Sequence, residues 1–184
     1  MRKTILFLLL FISLFLPSRA FAEDNSIFEL YIQKQIEIED GRGILKAIVY
    51  DDLKFIREQL VNGLNPDMSI GKIPVIFFPI YLDKPQSLSL FLEFGANPDK
   101  TFMNESPLNF AVYRNSENSV VELIKNGANI NSKNLGKTPL DWALIEKEYK
   151  IAEHLIKNGA NISNKNNKKI KKLKNAELLK LIEE

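Results

Sequence analysis

Cysteine is absent from all 184 residues, and histidine and tryptophan occur once each. Without cysteine there is no disulfide framework, no thiolate zinc site and no thiol nucleophile. Nor can a lipid be attached to a cysteine behind the N-terminal apolar run. His154 stands alone, in an outer-helix column shared with Glu58 and Glu122, and reads as an ordinary half-solvated polar residue. No Ser-His-Asp set assembles around it. Glycine-rich phosphate loops are missing too, since Gly41-Arg42-Gly43 is too short to count. The residues therefore offer no catalytic set and no metal site, and no cofactor is expected.

One long apolar run is present, and it sits at the start. Arg2 and Lys3 precede an apolar stretch from Thr4 to Leu16, followed by Ala20-Phe21-Ala22. A basic segment, an apolar segment and a small-residue cut site in that order read as a secretory signal peptide over 1–22. The run is short for a membrane span. The expectation is cleavage after Ala22 and a periplasmic or secreted mature chain.

The overall charge of +2 then misleads. Arg2, Lys3 and Arg19 lie in the leader, so the remainder carries 22 basic against 23 acidic residues. That charge is uneven. Residues 23–164 hold 15 basic and 20 acidic groups, whereas residues 165–184 hold seven Lys and three Glu.

Gly63, Gly95, Gly127 and Gly159 recur every 32 residues, three of them inside Gly-Ala-Asn. Strict periods of this size mean stacked repeats in which no unit buries its apolar face alone. Each glycine closes an apolar, helix-like run, where a left-handed residue is wanted. Eleven residues after two of them stand Ser106-Pro107-Leu108-Asn109-Phe110-Ala111 and Thr138-Pro139-Leu140-Asp141-Trp142-Ala143. A hydroxyl residue followed by proline is a helix start. Ala47, Ala111 and Ala143 lie 16 residues before their glycines, where close helix packing wants a small side chain. Pro79 takes that column in the second unit and predicts a distorted first helix there.

These motifs resemble the ankyrin repeat over residues 42–163. The resemblance implies an all-α solenoid of about four helix-turn-helix units. The family histidine is replaced by Asn109 and Asp141, either of which can bond local backbone. The hairpin is one residue shorter than usual, which accounts for a period of 32. Residues 23–41, with Ser26-Ile27-Phe28-Glu29 spaced as a capping box, are expected to form an N-terminal capping helix. Residues 165–184 are expected to form a basic C-terminal capping helix, with Lys171-Lys172-Leu173 in place of the Ser/Thr-Pro-Leu start.

Family resemblance also implies where a partner binds: the hairpin tips and the exposed ends of the inner helices. The tip positions read as Ser69 and Ile70, Phe102 and Met103, Asn134 and Leu135, followed by Lys72, Glu105 and Lys137. The inner-helix ends read as Val49, Tyr81, Tyr113 and Ile145, then Tyr50, Leu82, Arg114 and Glu146. Aromatic, Met and Arg residues are enriched in binding interfaces. The candidate partner-binding set is Ile70, Tyr81, Phe102, Met103, Glu105, Tyr113, Arg114, Leu135, Lys137 and Glu146. Two alternatives stay open: Phe102 and Met103 folding back as packing, and Trp142 packing between units.

The function expected is a non-catalytic, monomeric periplasmic module that binds one protein partner, as helper or stabiliser of an envelope protein. An immunity protein against a toxin delivered into the periplasm fits the same features. So does a structural protein that touches anionic membrane through Lys165–Lys174. Nucleic acid is not expected as a partner, because no aromatic residue is interleaved among those lysines.

Overall fold

The computed structural model describes Ile32, residues 43–173 and residues 175–183. The leader and the N-terminal capping helix lie outside the described residues, except that Ile32 is helical and buried in the core. Four helix pairs follow: α1 (Ile44–Val49) with α2 (Leu53–Val61), α3 (Phe77–Tyr81) with α4 (Pro85–Glu93), α5 (Pro107–Tyr113) with α6 (Glu117–Lys125), and α7 (Pro139–Glu146) with α8 (Tyr149–Lys157). Two more helices close the array, α9 (Asn164–Leu173) and α10 (Ala176–Glu183). The architecture is an all-α ankyrin-type solenoid.

Every repeating glycine ends an outer helix in the same way. Gly63, Gly95, Gly127 and Gly159 have φ between +83° and +95°. The Gly127 N–H donates to the Ile124 carbonyl at 3.0 Å, and the Ala128 N–H donates to the Leu123 carbonyl at 3.0 Å. This is a Schellman motif, and it satisfies carbonyls the helix leaves open. A Cβ at Gly127 would meet no atom within 4 Å, so only backbone strain opposes a side chain there. Gly127→Ala should therefore cost about 1 kcal/mol, measured by thermal or urea denaturation. An unchanged midpoint would mean that the left-handed conformation is not required.

Side chains stitch the units together with the same period. Asp67 Oδ1 accepts from the Asn97 N–H at 2.8 Å, Asp99 Oδ1 from the Asn129 N–H at 2.9 Å, and Asn131 Oδ1 from the Asn161 N–H at 2.8 Å. Each of these three residues is itself held by an Asx turn two residues back. Between inner and outer helices, Asp51, Asp83, Asn115 and Lys147 all take positive φ. Asp and Asn tolerate that region better than most residues. Two of them also bridge to neighbouring helices: Ser87 Oγ donates to Asp51 Oδ1 at 3.0 Å, and Ser116 Oγ to Asp83 Oδ1 at 2.7 Å. Between these polar seams runs one continuous apolar core, with Ile48, Phe78, Phe91, Leu108, Leu123 and Leu140 fully buried. Such a core depends on neighbouring units, because each unit contacts only the next.

The inner helices start as their sequences dictate, with one exception. Ser106 Oγ accepts from the Asn109 N–H, and Thr138 with Asp141 forms a full capping box. Asn109 does not replace the family histidine as expected. Both polar atoms of its amide are buried without a protein hydrogen-bond partner, whereas Asp141 at the equivalent position accepts from the Thr138 N–H at 2.9 Å. At Pro79 the second unit adapts by shortening. Helix α3 has only five residues, with Ile76 before it and no side-chain cap. Pro79 falls in the first turn, where its missing N–H leaves no helix bond unmade. Its carbonyl still accepts from the Lys84 N–H at 2.8 Å, as Ala111 does from Ser116.

The C-terminal end departs from the single helix expected over 165–184. Ser163 Oγ accepts from the Asn166 N–H and starts α9 at Asn164, seven residues ahead of the anticipated start at Lys171. Asn175 Oδ1 then accepts from the Leu178 N–H and starts α10 as a separate helix. Residues that would have formed a hairpin are helical instead.

Candidate partner-binding face

The hairpins between units are short and their register decides which side chains face out. In the second unit β1 (Ser69–Ile70) pairs antiparallel with β2 (Ile73–Pro74), Ile70 opposite Ile73. Single bridges join Phe102 to Glu105 and Asn134 to Lys137 in the next two units. The bridging residues Ile70, Phe102 and Asn134 thus share one column. The turn residues Gly71, Met103 and Leu135 share another. This corrects the placement of Ile70 as an exposed tip: it is a strand residue, 3% exposed and part of the core. The tip of that unit is Gly71. Counting 32 residues back from Met103 would have found it.

Phe102 follows the inward column as well. It is half-buried, and its ring meets Phe77 edge-on with centroids 5.8 Å apart. Of the two alternatives left open by the sequence, packing is the one Phe102 adopts. Met103 does not follow it. Met103 has φ +52° and Leu135 φ +49°, and they are 46% and 72% exposed. Each is followed by a second left-handed residue, Asn104 or Gly136, as tight hairpin turns demand. Although neither is β-branched, Met and Leu sit poorly in this region, where Asn or Gly fits better. Leu135→Asn should therefore raise stability by about 1 kcal/mol, read from the thermal midpoint. A fall would show that Leu135 is held by packing.

Behind the tips, Glu105 occupies the column that Ile73 fills in the second unit and Lys137 in the fourth. Ile73 is 4% exposed, and Glu105 in the same column is half-buried. Burial pushes its carboxyl up to about 7, opposed by hydrogen bonds from the Asn134 side chain and the Ser106 backbone. Its Oε2 accepts from Asn134 Nδ2. Glu105 is therefore a half-buried carboxyl whose charged form burial disfavours, not the solvated rim charge expected from its sequence position. Lys137 lies with Nζ 4.7 Å from the Trp142 ring centroid, a cation–π contact that holds both side chains.

The inner-helix ends are arranged in a second row. Tyr81 is only 5% exposed, which corrects its placement as an open aromatic. The reason is Arg114, whose guanidinium carbon lies 4.4 Å from the Tyr81 ring centroid and whose Nη2 donates to the Tyr81 carbonyl at 3.4 Å. Arg114 itself is half-buried, as is Tyr113 beside it at the end of α5. Glu146 is exposed at the end of α7. Two further apolar residues in the same columns stay open, Tyr50 at 70% and Ile145 at 39% exposed. Tyr50, Met103, Leu135 and Ile145 make up four of the six large apolar residues exposed among those described. The other two, Val61 and Val121, lie on outer helices α2 and α6.

Elsewhere, His154 Nε2 lies 3.1 Å from Glu117 Oε1, both about 40% exposed. No group of three His, Cys, Asp or Glu residues that could hold a metal ion occurs among the described residues. No helix among them is long and apolar enough to cross a membrane.

Residues 80–166 match the family model described as Ankyrin repeats (3 copies). The match begins in the short helix α3 and ends in α9. Comparison with curated proteins found no match. Ankyrin repeats indicate a protein–protein interaction module.

Proposed function

We propose that this protein is a non-catalytic periplasmic binding module that holds one protein partner along its tips and inner-helix ends. The observation that carries this reading is the pair Met103 and Leu135. Two large apolar side chains stand in solvent on successive tips, each in a backbone conformation that disfavours it. Strain of this kind persists where something other than stability selects it. Tyr113, Arg114 and Glu146 lie in the adjoining row, and the leader-like order of residues 1–22 supports export. Within the envelope the use favoured is a helper or stabiliser of another protein, because ankyrin repeats indicate a protein–protein interaction module.

The test is affinity capture from an envelope extract, with wild type and the Met103→Asn/Leu135→Asn double variant as paired baits. The wild type should retain a specific protein that the double variant loses, although relief of the left-handed strain should make the variant the more stable of the two. Equal recovery by both baits would refute the proposed face.

A further inference from the structure

Helix α9 is unlike every other described helix in the chain. Its sequence, Asn164-Lys165-Asn166-Asn167-Lys168-Lys169-Ile170-Lys171-Lys172-Leu173, contains five lysines and no acid. Only Asn166 and Ile170 are buried. Lys165, Lys168, Lys169 and Lys172 follow the i, i+3, i+4, i+7 spacing and form one stripe on the side away from Ile170. Three of the four are exposed and Lys169 is half-exposed.

Elsewhere three lysines are ion-paired with acids on their own helices: Lys54 with Glu58, Lys125 with Glu122 and Lys157 with Glu153. None of the α9 lysines has an ion pair among the described residues. As the last layer of the solenoid, α9 packs on α7 and α10, and no further described unit covers its other side.

From this geometry we propose that the α9 lysine stripe docks the end of the solenoid onto the surface of an anionic lipid bilayer. The stripe is about 10 Å long, so a flat charged plane can meet all four ammonium groups within one Debye length. Lysines are point charges suited to a diffuse anionic layer. Nucleic acid would instead favour arginine forks or stacking aromatics, and α9 has neither. The site is distinct from the tip face and stands without it.

Co-sedimentation of the full chain with vesicles tests this, using phosphatidylcholine alone and phosphatidylcholine containing one third phosphatidylglycerol. The anionic vesicles should bind on the order of a hundredfold more tightly, with the difference collapsing at high salt. The Lys165/168/169/172→Gln variant should lose the preference, and the corresponding Arg variant should keep it. Gln and Arg are both good helix formers, and circular dichroism of each variant verifies the fold. Binding through the leader, whose Arg2, Lys3 and Arg19 also favour anionic lipid, would contribute equally in wild type and in both variants, so the proposal is read from the loss between wild type and the Gln variant. Absence of an anionic preference, or its survival in the Gln variant, would overturn the proposal and leave α9 as a solvated end cap. Tighter binding to duplex DNA than to anionic vesicles would overturn it in favour of nucleic acid.

Discussion

Replacing Glu105 by Gln should stabilise the protein by about 3 kcal/mol at pH 8 and by almost nothing at pH 4. Its carboxyl titrates near 7 in the folded protein, against an ordinary value of 4.5. A raised carboxyl means that the folded state holds the proton more tightly than the unfolded state. Below 4.5 both states are protonated and Glu105 costs little. As pH rises from 4.5 through 7 the unfolded chain ionises freely while the folded one must ionise where burial strips water from the carboxylate. Stability is lost over that window and stays lost above it. Gln keeps the size and can still accept from Asn134, but it carries no charge to desolvate. Urea denaturation of both proteins across that pH range measures the effect. If the Gln variant is less stable at pH 8, or the difference is independent of pH, the carboxylate is ionised and well satisfied.

Truncation of Arg114 or Tyr113 to Ala should weaken the captured complex by 2 kcal/mol or more, roughly thirtyfold. Arg114 roofs Tyr81 and turns an aromatic floor into a cationic one. Its removal takes away both the charge and the shape a partner would meet there. Lys133→Ala and Lys157→Ala, away from the proposed centre, should change affinity only slightly. Phe102→Ala is a poor probe of binding, because its ring packs on Phe77 and its loss would first be felt as instability. Titration calorimetry with the purified partner separates these cases. Wild-type affinity in both Arg114→Ala and Tyr113→Ala would remove the inner-helix ends from the interface.

The solenoid was legible because its punctuation is local. A glycine after an apolar run, and Ser or Thr before Pro, each specify a backbone conformation that neighbours cannot easily override. What escaped was decided between units. The tip at Gly71 was misplaced to Ile70 because facing in a two-residue strand alternates at every step. Glu105 read as a rim charge because its column, Ile73, Glu105 and Lys137, has no single polarity from which burial can be read. Tyr81 read as open because its cover, Arg114, comes from the following unit. At the C-terminus, Asn175 is a helix start that the lysine-rich composition obscured.

The central claim is that partners meet the tip face and not the outer helices. A photo-crosslinking amino acid placed at Leu135 in one strain and at Val121 in another tests it most directly. Both positions are solvent-exposed apolar sites, 72% and 38%, on the hairpin tip and on outer helix α6. The account predicts that the residue at Leu135 captures a specific protein in intact cells and that the residue at Val121 does not. Capture at Val121 with none at Leu135 would contradict it.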